Sequence, residues 1–330
     1  MISLTKSPDR DFTVLNLTDP QLSDSEWKPG EKNREILVRT VTALAEKTQP
    51  DLITVSGDLA WAGHYEAYAC LADFLESFGV PWAPVMGNHD NQGGPEAVDR
   101  AVAILTARSH CLWENGDPAL GKGNYVIAVE QEGRPIHGIL MMDSHDKKPW
   151  TNEKGETVSQ WADLDPAQIA WYEETVGGLS ARGVAETTLI MHIPLYTYRE
   201  AFRAAWKAEI DPHSVAPEES DRGLCWNEGY RDSFGVFYEG VGSYPADNGF
   251  FDRITALGNT KTVLAGHDHV NDFMITYRGV RLIYALKTGA GCYWDPRLNG
   301  GTVLTIGADG RAKAWHCFVD PETGKVKNAV

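Results

Sequence analysis

The sequence predicts an α/β fold in which parallel strands alternate with helices. Short apolar segments recur along the chain, and the longer segments between them carry apolar residues at helical spacing. The first three apolar segments each end in an acidic or polar residue. In a β-α-β arrangement the carboxyl ends of the strands lie on one edge of the sheet, so these side chains should meet there. The 330 residues, 42% of them hydrophobic, suffice for one domain with elaborations.

The first part of the chain is predicted to form a β-α-β-α-β unit. The first strand, residues 12–18, alternates apolar and polar residues and ends at Asp19-Pro20-Gln21. Because side chains alternate in an extended chain, Asp19 and Gln21 should share a face, and Pro20 favours extended backbone at Asp19. The following elements are a helix at 31–46, a strand at 51–56 that ends at Gly57-Asp58, a helix at 65–78 and a strand at 80–86 that ends at Gly87-Asn88-His89-Asp90.

The middle of the chain is predicted to be less regular. A helix at 97–107 precedes strands at 124–130 and 135–142, and a polar loop then extends to Asp163. Asp165 and Pro166 suit the N-cap and first turn of a helix that continues to Leu179. A buried strand at 187–191 ends at His192.

Residues 196–248 show little periodicity and contain many Trp, Tyr, Glu and Arg residues. A long irregular segment in a compact protein is usually functional or disordered, and the aromatic content argues against disorder. We therefore expect a single domain, residues 1–330, in which this segment is an insertion that covers the functional site. It is followed by a helix at 250–257, by strands at 261–265, 273–277, 281–285 and 302–306, and by a hairpin that turns at Asp309-Gly310.

The composition excludes several classes of function. The formal net charge is −16, so a nucleic-acid or anionic-membrane surface, which needs clustered Lys and Arg, is not expected. No segment reaches the roughly 18 apolar residues that cross a bilayer, and residues 1–11 lack the apolar core of a signal peptide. The five cysteines include no CxxC pair, which suits free thiols in a reducing compartment. We expect a cytoplasmic protein and leave its oligomeric state open.

The candidate chemistry lies in five segments that each place a carboxylate, amide or imidazole directly after an apolar strand. A lone histidine after a strand is more often structural than a ligand, but five segments of this kind favour a metal site. Mixed oxygen and nitrogen ligands suit Mn, Fe or Zn, whereas an all-oxygen set would suit Ca or Mg. The segments are Asp19-Pro20-Gln21, Gly57-Asp58, Gly87-Asn88-His89-Asp90, Met191-His192 and Gly266-His267-Asp268-His269.

In order and spacing, these segments resemble the motifs of the calcineurin-like metallophosphoesterase superfamily. Those motifs are D-x-H, G-D, G-N-H-[DE], a lone H after a strand and G-H-x-H, and the match covers roughly residues 12–290. The resemblance implies a four-layer α/β/β/α sandwich of two mixed sheets with a two-metal site. It also implies a phosphoric ester hydrolase that uses two divalent metal ions (Mn, Fe or Zn) and acts on a small phosphorylated substrate.

The resemblance also implies roles for individual residues. The first metal would be held by Asp19, Asp58 and His269 with Gln21 at the remaining position, and the second by Asn88, His192 and His267, with Asp58 bridging the two. A hydroxide between the metals would attack the phosphorus, His89 would protonate the leaving group and Asp90 would orient His89. The ester would be hydrolysed without a covalent enzyme intermediate.

Two positions depart from family patterns. Gln21 stands where the family usually has histidine, and an amide oxygen ligates more weakly than imidazole, so the first metal should be held less tightly. Trp61 stands where purple acid phosphatases have a tyrosine, which argues against a coloured, redox-active iron centre. The stretch from Gly57 to Asp90 is more similar to the bacterial branches that resemble purple acid phosphatases and cyclic-nucleotide phosphodiesterases.

Substrate choice is expected to depend on the loops, where basic residues suit phosphate and tryptophans suit stacking. We predict Arg199, Arg203 and Trp226 as substrate-binding residues. Other candidates of the same kinds are Lys147, Lys148, Trp206, Arg222 and Arg231. Two alternatives to a monoesterase stay open: a phosphodiesterase that acts on a cyclic nucleotide or a lipid-type diester, and a metal-binding scaffold with weakened catalysis.

Overall fold

Two large mixed sheets, a small hairpin and seven α-helices form the protein in the computed structural model, which describes residues 1–220 and 223–327. The strands are β1 (Ile2–Thr5), β2 (Phe12–Leu17), β3 (Leu52–Ser56), β4 (Trp82–Val85), β5 (Tyr125–Gln131), β6 (Arg134–Met141), β7 (Lys147–Thr151), β8 (Thr157–Trp161), β9 (Glu186–Met191), β10 (Thr260–Ala265), β11 (Met274–Tyr277), β12 (Val280–Tyr284), β13 (Gly300–Ile306), β14 (Ala312–Val319) and β15 (Val326–Lys327). The helices are α1 (Lys32–Thr48), α2 (Tyr65–Glu76), α3 (Asn88–Asn91), α4 (Pro95–Leu105), α5 (Pro166–Ala181), α6 (Thr197–Ala205) and α7 (Phe250–Leu257).

The two large sheets pack face to face and carry helices on their outer surfaces. The strand order is β1-β5-β6-β9-β10-β12-β11 in the larger sheet and β15-β14-β13-β2-β3-β4 in the smaller one. Apolar side chains from both sheets, among them Val14, Leu52, Ile127 and Ile190, fill the space between them. Helices α1, α2 and α4 contribute to the core on the other side of the smaller sheet, and α5, α6 and α7 to that of the larger one. The predicted four-layer α/β/β/α sandwich is confirmed.

Strands β2, β3 and β4 form the predicted parallel unit. Leu15 lies opposite Ile53, and Ile53 lies opposite Trp82. Helices α1 and α2 connect these strands and bury apolar residues such as Val41 and Leu71 against the sheet. Their three carboxyl ends therefore open at the same edge, as expected for β-α-β connections.

A two-stranded hairpin occupies the segment between β6 and α5, where the sequence predicted only a polar loop. Strands β7 and β8 pair antiparallel, with Lys147 opposite Trp161. At the turn, the Asn152 side chain accepts hydrogen bonds from the backbone N–H groups of Lys154 and Glu156, each at 3.0 Å. The hairpin is hard to recognise in the sequence because exposed residues occur on both of its faces.

The segment at 196–248 begins with helix α6, which the sequence analysis did not predict. Tyr198, Phe202 and Ala205 recur at helical spacing and are buried in the core. The Tyr198 hydroxyl donates to the Val263 carbonyl at 3.0 Å, which fixes α6 on the larger sheet. The helical periodicity was therefore present in the sequence. It was hard to recognise because the helix has only nine residues and other aromatic residues follow it.

All five cysteines have free thiols, as their odd number and the lack of a CxxC pair predict. Cys225 and Cys317 are buried, and Cys292 is exposed. Across residues 1–220 and 223–327, no helix combines the length and the apolar character that crossing a bilayer requires.

His137 on β6 should make the stability of the fold depend on pH. The residue is fully buried, its Nδ1–H donates to the Gly310 carbonyl at 2.8 Å, and its Nε2 lies 3.0 Å from Thr188 Oγ1. Burial lowers the pKa of His137 to about 4, whereas an exposed histidine has a pKa of about 6.5. The unfolded chain therefore binds a proton that the folded chain excludes, and the contribution of His137 to stability should fall by roughly 3 kcal/mol as the pH drops through this range.

Urea unfolding at several pH values from about 7 to about 4 checks this prediction. The His137→Asn variant should lose less stability than the wild type over that range, while His213→Asn, at an exposed histidine, should keep the wild-type dependence. A wild-type pH dependence in His137→Asn would mean that other groups cause the loss.

Candidate metal centre

Side chains from both large sheets meet at the carboxyl ends of their strands. Asp19 follows β2, Asp58 follows β3 and Asn88 begins α3 after β4, while His192 follows β9 and His269 lies in the loop after β10. One ligand atom from each of Asp19, Asp58 and His269 lies within 4.8 Å of the others, and all three side chains are buried. The strand ends that the sequence analysis singled out therefore converge.

His192 presents one ring nitrogen to three oxygen atoms. Its Nε2 lies 2.9 Å from Asn88 Oδ1, 3.3 Å from Asp58 Oδ1 and 4.0 Å from Asp19 Oδ1. Its Nδ1–H donates to the Ser56 carbonyl at 2.9 Å, which fixes the orientation and tautomer of the ring. The Nε2 atom is therefore the nitrogen available to a cation.

His269 and Asp19 show a similar arrangement. The Nδ1–H of His269 donates to the Tyr293 carbonyl at 2.7 Å, and its Nε2 lies 3.2 Å from Asp19 Oδ1. The other oxygen, Asp19 Oδ2, accepts hydrogen bonds from the Thr18 hydroxyl at 2.7 Å and the His267 backbone N–H at 3.2 Å. Each side chain is thus held by one atom and presents the other to the cluster, as metal-ligating residues do.

The residues present fit a divalent metal ion. Both polar side-chain atoms of Gln21 are buried without a hydrogen-bond partner among the described residues. Asp19 Oδ1 is also buried and faces the Nε2 atom of His269 at 3.2 Å. An unpaired buried polar atom costs about 1–3 kcal/mol, and a cation bound to the amide oxygen of Gln21 would remove that cost at this atom. The mixture of carboxylate and amide oxygens with imidazole nitrogens suits Mn, Fe or Zn.

The charges in the cluster also favour a cation. Burial alone would raise the pKa of Asp19, but the imidazoles of His269 and His192 hold it below its ordinary value. Burial alone would lower the pKa of His192, but Asp58 and Asp19 raise it to about 10. Burial and the neighbouring His192 lower the pKa of His267 to about 3, so this imidazole is neutral. A metal that binds His192 must displace its proton, so metal affinity should rise with pH.

Glycines allow the backbone to approach the cluster closely. A Cβ atom at Gly57 would overlap the His192 ring, and a Cβ atom at Gly87 would overlap the Asp58 carboxylate. Gly57 also has a φ of 93°, a conformation that residues with side chains rarely adopt. These two positions therefore exclude any larger residue unless the cluster is displaced.

Asp19 does not adopt the extended backbone that Pro20 was expected to impose. Its φ is 53°, in the left-handed region, and Asp58 has a similar φ of 51°. The Asp19 N–H donates to the Gly57 carbonyl at 3.1 Å, and the Asp19 carbonyl accepts a hydrogen bond from the Lys287 ammonium. These tertiary contacts override the local preference of a residue that precedes proline.

His89 lies on the more exposed side of the cluster. Its side chain is 23% exposed, and its Nε2 lies 3.9 Å from Asp58 Oδ2. Its Nδ1 lies 3.0 Å from Gln92 Oε1, and its backbone N–H donates to Asp58 Oδ1 at 2.8 Å. Gln92 therefore orients the ring, a contact that the sequence analysis did not predict.

Asp90 joins the loops that follow β3 and β4. Its carboxylate accepts hydrogen bonds from the backbone N–H groups of Gly87 at 2.7 Å and Leu59 at 3.2 Å and from the Tyr68 hydroxyl at 2.6 Å. Burial, and then the charge of Asp58, raise the pKa of Asp90 to about 6. Asp90 thus positions the loop that carries Asp58, and the prediction that it orients the neighbouring imidazole is corrected.

The three residues predicted to bind substrate differ in their surroundings. Trp226 is 1% exposed and packs on Trp206 in the core beneath α6, so the prediction of a stacking wall was wrong. Arg199 donates to the Val241 carbonyl at 2.6 Å, so its guanidinium holds the following segment in place. Arg203 is exposed on α6 and makes no hydrogen bond or ion pair within the described part of the chain.

The remaining candidates are placed as follows. The Lys147 ammonium lies 4.6 Å from the centre of the Trp161 ring, and Lys148 lies over the ring of Tyr244 at 4.4 Å. Arg231 is exposed, and Arg222 lies outside the described residues.

Lys287 is a residue of the cluster that the sequence analysis missed. It is 1% exposed, and its ammonium contacts the carbonyl of Asp19, from which it is separated by 268 residues. Burial lowers the pKa of Lys287 to about 8 although the charge of Asp19 opposes this shift. A lysine directly after the apolar segment Tyr284 to Leu286 was the available signal.

Gln21→His is expected to strengthen metal binding. Gln21 is fully buried beside Asp19, and an imidazole is a better ligand than an amide for Mn, Fe or Zn. Calorimetric titration with Mn²⁺ should show that the affinity rises roughly tenfold, the lower end of the changes in metal affinity that substitutions around a metal site cause. Gln160→His, on β8, is the matched control and should bind like the wild type. An unchanged affinity in Gln21→His would count against Gln21 as a ligand.

The sequence is similar to known proteins. A family model described as calcineurin-like phosphoesterase matches residues 12–271. Probable inactive purple acid phosphatase 28 of Arabidopsis thaliana is 25% identical over 284 residues, 78% of this chain and 63% of that protein. Probable inactive purple acid phosphatase 14 of the same plant is 28% identical over 273 residues, 75% of this chain and 60% of that protein. The chain thus spans less than two thirds of the length of these two relatives.

A bacterial protein matches a shorter part of the chain. A probable cyclic nucleotide phosphodiesterase of Xenorhabdus bovienii is 33% identical over 105 residues. The match covers 29% of this chain and 42% of that protein.

Proposed function

Because the chain belongs to the calcineurin-like phosphoesterase family, we propose that it hydrolyses a small phosphate ester with the aid of two divalent metal ions. The family implies metal-dependent phosphoester hydrolysis. The binding of two ions is part of the proposal. The observation that carries it is the buried cluster of Asp19, Asp58 and His269, whose ligand atoms lie within 4.8 Å of one another. Asn88 and His192 adjoin this cluster through Asp58, which supports a second position with Asp58 shared.

We assign the ligands as the sequence motifs imply. The first ion would be held by Asp19, Gln21, Asp58 and His269, and the second by Asp58, Asn88, His192 and His267. The Nε2 atoms of His192 and His269 support this assignment, because they face Asp58 Oδ1 and Asp19 Oδ1 inside the cluster. The ions could be Mn, Fe or Zn, because all three accept this mixture of donors.

Residues of the chain would complete the reaction. Bound divalent ions would neutralise the charge of the phosphoryl group and activate a water molecule. His89 would donate a proton from Nε2 to the oxygen of the leaving group. Two observations support this role: the ring is partly exposed beside Asp58, and Gln92 Oε1 accepts a hydrogen bond from Nδ1, which leaves Nε2 free for proton transfer.

A metal-binding scaffold with little turnover is the second candidate. The names of the two plant relatives include the words "probable inactive", and Gln21 replaces the histidine that the family usually has. His89 favours an enzyme, because a metal-binding scaffold would need His267 and His269 as ligands but would not need a proton donor beside Asp58.

Metal analysis with two chromogenic substrates distinguishes the candidates. After incubation with Mn²⁺ and gel filtration, we expect about two ions per chain and hydrolysis of p-nitrophenyl phosphate or of bis-p-nitrophenyl phosphate. Which of the two is hydrolysed faster separates a monoesterase from a diesterase. Bound metal without hydrolysis of either substrate would support the scaffold, and the absence of both metal and hydrolysis would overturn the proposal.

A further inference from the structure

Three aromatic side chains each pack on one imidazole of the cluster. Trp61 lies on His89 with ring centroids 4.3 Å apart, and Trp161 meets the edge of His267 at 4.5 Å. Tyr293 stacks on His269 at 4.2 Å with an interplanar angle of 16°. We call Trp61, Trp161 and Tyr293 the aromatic rim.

The aromatic rim lies between the buried ligands and the solvent. His269 is 3% exposed and His267 is 9% exposed, whereas Tyr293 is 47% exposed. Trp61 and Trp161 are half-buried. The rings therefore cover the outer sides of the imidazoles and still present surface to the solvent at the mouth of the site.

The rings come from three separate segments, and Trp161 and Tyr293 contact charged side chains. Trp61 lies in the loop after Asp58, Trp161 ends β8, and Tyr293 lies in the loop after β12. The Tyr293 hydroxyl donates to Glu239 Oε2 at 2.8 Å. The ammonium of Lys147, which lies opposite Trp161 on β7, is 4.6 Å from the centre of its ring. These contacts reduce the conformational freedom that Trp161 and Tyr293 lose when a ligand binds.

We infer that the aromatic rim binds the leaving group of the substrate, which makes the preferred substrate a phosphate ester of an aromatic or heteroaromatic alcohol. This inference rests on the proposed function. A phosphoryl group at the metal cluster, with its ester oxygen toward His89, would place the leaving group next to Trp61. Burial of the leaving group and offset or edge-to-face contacts between planar rings favour such a group over a small alkyl group.

A comparison of two phosphonates tests the inference without turnover. Calorimetric titration of the Mn²⁺-loaded protein with phenylphosphonate and methylphosphonate, at a pH where both are dianions, isolates the contribution of the ring. We expect phenylphosphonate to bind about three to ten times more tightly, the range that aromatic contacts provide. Trp61→Ala and Tyr293→Ala should each reduce this preference while the affinities for methylphosphonate and Mn²⁺ stay unchanged.

Two further variants control for indirect effects. Trp150 lies on the other face of the same hairpin from Trp161, so Trp150→Ala should keep the full preference. Tyr293→Phe removes the bond to Glu239 but keeps the ring, and it should keep most of the preference.

Other outcomes would overturn the inference in distinct ways. Equal binding of both phosphonates to the wild type, together with hydrolysis of p-nitrophenyl phosphate, would show that the aromatic rim does not bind the leaving group. The proposed function would then still hold. An equal loss of affinity for both phosphonates and for Mn²⁺ in the alanine variants would show that the rings only position the imidazoles. Binding of neither phosphonate, together with no hydrolysis, would overturn the inference along with the proposed function.

Discussion

Asp58→Asn is expected to lose divalent metal and to reduce phosphoester hydrolysis by at least about 100-fold, the upper range found for residues that only support a metal ligand. The Asp58 carboxylate is 1% exposed and faces His192 Nε2 at 3.3 Å. Asparagine has nearly the same size as aspartate but lacks the negative charge, and its NH2 group would replace one of the two oxygens that can bind a cation. Both proposed metal positions should therefore be affected by this one substitution.

Metal content after gel filtration and hydrolysis of p-nitrophenyl phosphate measure the effect. Asp252→Asn is the matched control, since Asp252 is an exposed residue on α7 that pairs with Arg278. The control should keep its metal and activity. If Asp58→Asn keeps the wild-type metal content and loses only turnover, Asp58 is not the shared ligand that we propose.

His89→Ala is expected to reduce kcat by about 10²–10⁴-fold while the metal content stays at the wild-type level. Its ring lies 3.9 Å from Asp58 Oδ2 on the exposed side of the cluster, where it can reach a leaving group without binding metal. Because p-nitrophenolate departs easily without a proton, the loss should be larger for an alkyl phosphate than for p-nitrophenyl phosphate. This difference is specific to a proton donor.

Steady-state kinetics on p-nitrophenyl phosphate and glycerol phosphate, with metal analysis of the same samples, check the prediction. His213→Ala, at an exposed histidine, should behave like the wild type. Loss of metal from His89→Ala would show that His89 is a ligand. An equal loss on both substrates would show that it binds the phosphoryl group without protonating the leaving group.

The fold and the strand-end residues could be predicted from the sequence because both depend on local patterns. Each apolar run specified a strand, and parallel connections bring strand ends to one edge whatever the length of the chain between them. The convergence of Asp19 and Asp58 followed from this rule. His192 and His269 belong to the other sheet, so their approach to Asp19 was implied by the family resemblance and not by the rule.

Residues whose role depends on burial could not be assigned in this way. The sequence alone does not show which tryptophan lies near the site. Trp226 is buried beneath α6, whereas Trp161 lies on a hairpin beside His267. Lys287 reaches the cluster across 268 residues, a contact that no local pattern encodes. The left-handed backbone of Asp19 contradicts the local rule for residues before proline, because contacts from other segments outweigh it.

Gly57 and Gly87 carry no functional group, yet the His192 ring and the Asp58 carboxylate occupy the space that a Cβ atom would fill at these two positions. A descendant of this chain with a single alanine at either position would retain every proposed ligand and His89 but would lose the arrangement on which the proposed hydrolysis depends. A survey of ligands alone would class such a descendant as active. The residues at the positions of the two glycines should therefore be compared together with the ligands when members of this family are classified as active or inactive.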